Sequence, residues 1–404
     1  MILRLALRNI RRQIARTAMT LAAVVIGVMG LILAGGFVED LFVQLGEAII
    51  HSQTGHIQIY RQGFLSHGTR QPDKYLIANP AKLAARVAQI PEVKQVAARL
   101  NFSGLLNNGK RDLAIVGEGI EPDKEAKMGS HLTMLAGRMI TNADEHGIMV
   151  GQGVAESLGV QPGDSLTLLI NTPEGALNTE DFVVRGVFQT FSKDFDARAV
   201  RVHLNAAQQL LSTQGSNLLV VMLKKTEDTA AVMAQLAPIN SDSGTESSSW
   251  RQLSDFYDKS VEMYDRQFGV LMIIIMIMVC LSVTNSVNMS TYERLGEFGT
   301  MRALGNTGSN IVHLLFVESV LLGSIGAALG VVLGVIAALL ISSIGIPMPP
   351  PPNANLGYTA LIRVVPSVCA VAFLIGMAAT VLASLIPALR VSKIAVVDAL
   401  RQNV

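Results

Sequence analysis

The stretch TYERLGEFGTMRALG, Thr291 to Gly305, decides how this chain is read. It gathers Glu293, Arg294, Glu297 and Arg302 into one short helical pattern between two long apolar runs. Outward from it, four segments carry no charge over a length near or above the roughly 20 residues that span a bilayer as helix. They are Thr17 to Val38, Gln267 to Tyr292, Ser319 to Ile362 and Val364 to Leu389. The third is too long for one span and is broken by SSIGIPMPPPPNANLGY, where Pro347 and Pro349 to Pro352 cannot continue a helix. The fold class expected is therefore a multi-pass α-helical membrane protein with four transmembrane helices. A large α/β extracytoplasmic domain is expected between helices 1 and 2.

The segments read as a cytoplasmic amphipathic helix over 1–16, spans at 17–38, 267–289, 311–344 and 364–387, and an outer domain with flanking stalk helices at 39–266. A charged connector covers 290–310, a short Pro-rich outer loop 345–363, and a cytoplasmic tail 388–404. Basic residues set the orientation. Arg4, Arg8, Arg11, Arg12 and Arg16 precede the first run, Arg294 and Arg302 lie in the connector, and Arg390, Lys393 and Arg401 follow the fourth. Only Glu293, Glu297 and Asp398 oppose them, so these segments and both termini are placed inside. The outer segment has 21 Lys and Arg against 27 Asp and Glu, a net of −6 that fits translocation. The formal charge of +1 for the whole chain hides this asymmetry, and nucleic acid is not an expected partner. The first run is longer than a signal-peptide core and ends in GGFVEDLF, not in a small-x-small cleavage site, so it reads as a retained helix.

Cys280 and Cys369 both fall in spans, so the outer domain must be held by its own apolar core without disulfides. Leu3, Leu7, Ile10 and Ile14 make one stripe of an N-terminal helix that would lie on the inner leaflet. Val38, Leu41, Phe42, Leu45, Ala48 and Ile49 continue the first span outward. Trp250, Leu253, Tyr257, Val261, Tyr264 and Phe268 lead into the second at helical spacing. Two amphipathic extensions of neighbouring spans have each other as partners, which predicts a stalk that carries span movement into the outer domain. Between them GHIQIY, KRDLAIVGEGI, DSLTLLI and DFVVRGVFQT read as strands, NPAKLAARVAQI as a helix opened by Pro80, and GTESSSW as a loop.

No chemistry of its own is expected of the chain. The glycines of VGQGVAESLG lack the G-x-G-x-x-G spacing, and no phosphate-cradling G-x-x-x-x-G-K-[ST] occurs. His51, His56 and His67 match no metal-ligand spacing and read as solvent-facing. Ser324 and His313 sit about 16 Å apart along one helix, too far for a nucleophile and its base. In the third span Gly323, Gly326, Gly330 and Gly334 form a small-residue stripe for close helix packing. Glu318 in the same helix either sits at the inner interface or pairs with a basic residue, because a carboxylate at the bilayer centre costs ~3 kcal/mol.

NMSTYERLGEFGTMRALG resembles the signature of the FtsX-like (MacB/LolC/LolE) permease family of ABC transporters, with Glu293, Arg294, Glu297, Gly299, Arg302, Ala303, Leu304 and Gly305 at the matching positions. ALRNIRRQIARTAMTLAAVVIGV, IMVGQGVAESLGVQPGDSLTL and SLIPALRVSKIAVVDALR are similar to the family's N-terminus, outer-domain motif and C-terminus. The resemblance implies a MacB-like periplasmic core between helices 1 and 2, a bacterial inner-membrane location, and a coupling helix at the connector. That helix would dock on a cytoplasmic ABC ATPase dimer through Tyr292, Glu293, Arg294, Glu297, Phe298, Met301 and Arg302. The residues agree: Ser290 with Glu293 matches a capping box that would start the helix, and Gly305 is a natural stop.

MacB-type proteins carry a fused ATPase domain before the first span, whereas this chain starts sixteen residues before it, so the resemblance is to the separate-subunit LolC/LolE arrangement. ATP and Mg are then expected at the partner ATPase, with no cofactor bound here and no enzyme activity in this chain. A second permease chain, identical or related, is implied, together with membrane lipids and a possible periplasmic acceptor or adaptor. The implied function is mechanotransmission that extrudes a lipoprotein or other hydrophobic substrate from the outer leaflet. Phe37, Leu41, Phe42, Tyr264 and Phe268 are the candidate substrate contacts, and Gly326, Gly330 and Gly334 the helix-packing residues. The alternative from another class is a non-transporting regulator of a periplasmic cell-wall hydrolase or sensor.

Overall fold

The computed structural model describes residues 8, 12, 14–68, 72–128, 132–172, 175–190, 192–349 and 357–392. The stripe positions Leu3, Leu7 and Ile10, the prolines Pro350 to Pro352 and the tail from Lys393 onward lie outside the described residues. The chain divides into two compact units. One comprises Met1–Val43, Ser260–Pro347 and Thr359–Val404, the other Gln44–Lys259 and Met348–Tyr358.

The first unit holds helices Gly308–Ile344 and Pro366–Ser392 and most of Ile14–Ile49 and Asp255–Glu293; in chain order the four are here called the first to fourth spans. Each is long and apolar enough to cross a membrane. Lipid tails are as apolar as leucine, so such helices gain little from hiding apolar surface and associate through close contact. The glycine stripe supplies it. A Cβ at Gly326 would lie 3.0 Å from Val24 Cγ1, one at Gly330 2.7 Å from Val28 Cβ, and one at Gly334 3.0 Å from Ile32 Cδ1. Val24, Val28 and Ile32 recur every four residues on one face of the first span and fill the groove the glycines leave. Around this seam pack Leu31, Val279, Val283, Ala372, Ala379 and Ala383, which brings in the second and fourth spans. Thr284 Oγ1 donates to the Ala383 carbonyl at 3.2 Å, a polar tie inside the bundle.

Asp40, only 1% exposed, lies in the last third of the first span. It accepts the Leu361 N–H and the Arg363 Nε–H, both at 2.9 Å. Arg363 N–H in turn donates to the Gly36 carbonyl at 3.1 Å. A side chain at position 36 would meet the Arg363 backbone, so only glycine allows the approach.

The second unit holds a ten-stranded mixed sheet. Its strands are β1 (Ile57–Arg61), β2 (Val93–Asn107), β3 (Asp112–Ile120), β4 (Thr133–Gly137), β5 (Gly147–Gly151), β6 (Ser165–Asn171), β7 (Leu177–Gln189), β8 (Ala199–His203), β9 (Leu218–Leu223) and β10 (Thr245–Ser249). The order is β10-β1-β9-β2-β3-β8-β5-β7-β4, with β6 paired to β2 and β7. β5, β8 and β9 are buried at every position, which is why GIMVG and LLVVML read as apolar runs without alternation. Helices Pro80–Val87, Leu204–Leu210 and Thr229–Ser243 cover the sheet with Leu83, Val87, Ala207, Leu210, Val232 and Leu236.

Three sequence expectations change here. GTESSSW is not a loop: TESSS forms β10, antiparallel to β1, and its serines escape a hydrophobic pattern because an edge strand buries little. Trp250 and Leu253 precede the helix that begins at Asp255. The Trp250 ring rests on Gly46 and meets Tyr257 edge-on at 4.7 Å, so the aromatic pattern marked a contact, not a helical turn. His56 is not solvent-facing but 3% exposed. Its Nδ1 accepts the Leu223 N–H at 3.2 Å, so Nε2 carries the proton and donates to Thr226 Oγ1 at 3.1 Å. The VGQG glycines are explained by packing: a Cβ at Gly153 would stand 2.7 Å from Ala197 Cα, and one at Gly151 would strike the Asp196 carbonyl.

Two outcomes follow. Gly330→Leu should overpack the seam with the first span and lower stability by about 1–3 kcal/mol, read as a fall in the melting temperature of the detergent-solubilised chain. Burial is the largest cause holding His56 down at about 4 against an ordinary 6.5. With the folded value depressed, its stabilising contribution is complete above about 6.5 and is lost as the pH falls through about 4. Unfolding midpoints measured from neutral pH down to about pH 4 should therefore drop, by up to about 3 kcal/mol, and His56→Gln should flatten that slope.

Candidate functional site

The charged stretch forms an elbow between the second and third spans. The second span does not stop at its last apolar residue but winds on through Ser290 and Thr291 to Glu293. Thr291 Oγ1 donates to the Val287 and Asn288 carbonyls, both at 2.8 Å, so the segment expected to be a capping box is helix interior. The break comes at Arg294, with φ −97° and ψ 11°, and the short elbow helix runs Leu295–Ala303. It ends at Gly305 with φ +96°, the stop the sequence predicts.

Arg294 explains the break, because its side chain turns into the bundle while the backbone turns the corner. Its Nη1 donates to Glu318 Oε2 at 2.9 Å and its Nη2 to Glu318 Oε1 at 3.2 Å, a two-pronged buried pair with the third span. Nε donates to Glu297 Oε2 at 3.3 Å, and the guanidinium lies over the Phe298 ring at 5.0 Å. Glu297 is also reached by Arg12 Nη1 at 2.7 Å on the exposed side. Of the two readings open for Glu318 the pairing with a basic residue is the one observed. Its position ten residues into the helix, about 15 Å along the axis, would otherwise leave a carboxylate unpaired among apolar neighbours.

The elbow helix has two faces, and they divide the residues singled out from sequence. Leu295 and Phe298 are buried against Ile311, Leu314, Leu315 and Ala388, with half-buried Met301 beside them. Arg294 is buried too, and Arg302 is half-buried and engaged within the described residues. The outward row is Tyr292, Glu293, Glu297, Thr300 and Leu304, of which Leu304 is 81% exposed. The residues expected to dock are thus split: Arg294 and Phe298 are buried against the chain's own spans, Met301 and Arg302 are half-buried, and Tyr292, Glu293 and Glu297 face out. Leu304, named from sequence only as a position of the family signature, is the most exposed large apolar residue of this row, and its place out of step with Leu295 and Phe298 was a usable signal for that exposure.

Elsewhere in this unit Phe37, Leu41, Phe42, Tyr264 and Phe268 are all half-buried. Phe42 and Tyr264 meet edge-on at 6.2 Å. Phe268 stands beside Gly35 and borders an apolar cleft of about 150 Å³ with Leu31, Met272, Val368 and Val371. Phe37 and Leu41 are not part of that cleft. Among the described residues no group of three or more His, Cys, Asp or Glu is placed to hold a metal.

Glu318→Gln should leave the Arg294 guanidinium without its buried partner, with only the half-exposed Glu297 beside it, and destabilise the bundle by about 3 kcal/mol, while Arg294→Glu combined with Glu318→Arg should recover part of the loss. Denaturant titration of the solubilised chain followed by circular dichroism measures both.

Residues 17–239 match the MacB-like periplasmic core domain and residues 269–396 the FtsX-like permease C-terminal domain. Similar known proteins include the lipoprotein-releasing system transmembrane protein LolE of Haemophilus influenzae, 24% identical over 263 residues, 64% of this chain and 63% of that protein. LolC of Neisseria meningitidis serogroup B, described in the same words, is 23% identical over 335 residues, 79% of this chain and 76% of that protein. The macrolide export ATP-binding/permease protein MacB of Rhodospirillum rubrum is 26% identical over 377 residues, 87% of this chain and 55% of that protein. The chain thus spans a little under two thirds of the LolE relative and just over half of the MacB relative. The core-domain match runs through more than half of its length and the permease match through its later spans, so this chain belongs to the MacB-like periplasmic core domain family, with an FtsX-like permease C-terminal domain.

Proposed function

We propose that the chain is the membrane-spanning permease subunit of an ABC transporter of the LolC, LolE and MacB type. The observation that carries this is the elbow helix. One face is fixed to its own spans by Phe298, Leu295 and the Arg294–Glu318 pair, while the opposite row, with Leu304 at its tip, is exposed. A helix anchored on one side and open on the other can take a push from a soluble partner and pass it to the spans. The balance of ten basic to three acidic residues in these segments supports a cytoplasmic elbow. The partner is a dimeric ATPase that supplies ATP and Mg, with this chain contributing no catalytic group.

In this reading Tyr292, Glu293, Glu297 and Leu304 form the docking row, while Arg294, Phe298, Met301 and Arg302 hold the helix in place. ATPase closure moves the elbow, the Arg294–Glu318 pair transfers that movement to the third span, and the Gly326, Gly330 and Gly334 seam passes it to the first. Two permease chains are needed, each with an outer domain. The cargo is a lipoprotein or another hydrophobic molecule taken from the outer leaflet of the bacterial inner membrane, as the names of the LolC and LolE relatives suggest. Phe37, Leu41, Phe42, Tyr264 and Phe268 are its proposed contacts at the outward ends of the spans. A periplasmic acceptor would receive it.

Leu304→Asp changes a surface residue and should leave the melting temperature unchanged while lowering co-purification of the ATPase at least about tenfold. Retention of the ATPase at the wild-type level by the variant would sink the docking assignment. Deleting the gene should leave lipoproteins in the inner membrane, read by mass spectrometry of separated membranes. A cell-wall defect without such retention would favour a regulator over a transporter.

A further inference from the structure

The first span does not end where its regular turns end at Ile49. It continues as a wider π turn over Ile50–Thr54 and stops at Gly55, whose φ of +65° lets the chain turn into β1. Such turns are rare and concentrate at functional positions. A helix end leaves its last carbonyls without partners in the helix, and four of those in this turn have named donors. The Ile50 carbonyl accepts the Gly55 N–H at 2.8 Å, and the Thr54 carbonyl accepts Gln58 Nε2 at 3.1 Å. The Ser52 and Gln53 carbonyls are taken from far away in sequence. Arg201 Nη2 donates to the Ser52 carbonyl at 3.2 Å, and Arg99 Nη1 donates to the Gln53 carbonyl at 2.6 Å.

These arginines come from β8 and β2, on either side of β3 in the sheet. Glu118 of β3 stands opposite Arg201 in register and accepts its Nε at 2.8 Å. Glu125, on helix Pro122–Met128, takes both prongs of Arg99 at 2.6 and 2.9 Å. All four charged groups are buried, Arg201 to 1% and Glu125 to 2% exposure. Burial by itself would push the Glu125 carboxyl up, but the attraction of Arg99, its hydrogen bonds and Arg201 outweigh it and hold the group ionised below its usual value.

A buried set of two Arg and two Glu is not what gives a domain stability, since well-packed apolar residues of similar size serve as well or better. The sheet around it is filled with Ile, Val, Leu and Phe in that manner. What charges add is direction. After binding their carboxylates both guanidiniums keep N–H groups to spare, and these meet successive carbonyls at the negative end of the helix dipole. A second tie lies one turn earlier, where Thr226 Oγ1 donates to Glu47 Oε1 at 2.6 Å.

We infer that Arg99 and Arg201 are positioning residues that grip the carbonyl end of the first span's helix, so that axial movement of that helix is delivered to the central strands of the outer domain. The inference rests on the permease reading for the source of the movement and on the geometry for the grip. Helix carbonyls point along the axis, so a pull or push on the helix loads these bonds lengthwise. β2 and β8 are interior strands, so load entering through Arg99 and Arg201 spreads through the sheet and not through a loop.

The test is hydrogen–deuterium exchange of the full chain in lipid nanodiscs, purified with its ATPase, with and without ATP. The paired variants Arg99→Met/Glu125→Leu and Arg201→Met/Glu118→Leu remove charge in balanced steps, and Arg201→Lys keeps the charge but not the fork. In the wild type residues 50–58 should stay protected in both states while ATP alters exchange elsewhere in the outer domain. In the paired variants exchange over 50–58 should rise at least about tenfold, with the sheet core still protected and ATPase turnover within about twofold. The ATP-dependent change in the outer domain should disappear. Arg201→Lys should give the same effects in weaker form and stands in if a paired variant does not fold. The inference is overturned if residues 50–58 stay protected in the variants, or if they are released and the outer domain still responds to ATP. A wild-type complex with no ATP response at all overturns the permease reading instead, and the exchange over 50–58 then still tests the grip.

Discussion

A carboxylate ten residues inside an apolar helix is tolerable only beside a fixed positive charge, and the Arg294–Glu318 pair meets that condition. Much of this end of the bundle depends on it. To reach Glu318 the Arg294 side chain must enter the bundle, which breaks the second span at that residue and turns the backbone into a separate helix. With Arg294 drawn in, Phe298 follows under its guanidinium and Leu295 closes against the third and fourth spans. The exposed row is what remains. One ion pair thus determines where the helix breaks, which face is hidden and which face is offered.

The same logic recurs at two points along the C-terminal part of the first span's helix. Asp40 is held by Leu361 and Arg363 in the helical unit, and the Ser52 and Gln53 carbonyls are held by Arg201 and Arg99 in the sheet unit. Away from these polar points the spans touch through glycine, alanine and valine, contacts that are close but carry no direction. Close apolar packing lets helices lie together, whereas bidentate and charge-assisted bonds fix a register. In this chain the directional bonds fall where each helix meets a different element.

Much of the architecture was legible in the sequence because bilayer thickness is a hard constraint: uncharged runs, a proline break and a basic–acidic imbalance identify four spans and a large outer domain. The strands that alternate or run apolar, such as GHIQIY and DSLTLLI, were equally legible. TESSS was not, because an edge strand needs partners on one side only and can be all polar. His56 was misplaced because an imidazole buried with its two nitrogens satisfied by Leu223 and Thr226 leaves no trace in local pattern. The elbow was recognised as a charged helix, yet its start was set at Ser290, since a capping box and a continuing helix share the same residues.

By itself the sequence determined the spans, the composition of the outer domain, the glycine stripe and the stop at Gly305, all of which follow from local geometry or from transfer of one segment into an apolar medium. Only the tertiary structure decided which charges meet. Arg294 with Glu318, Asp40 with Arg363, and Arg99 and Arg201 with the end of the first span's helix are partners separated along the chain by anything from two dozen to more than three hundred residues. A charge in a sequence looks the same whether water or a buried partner will neutralise it. The choice is made when helices and strands close around it, and it is that choice which turned a charged connector into an anchored elbow.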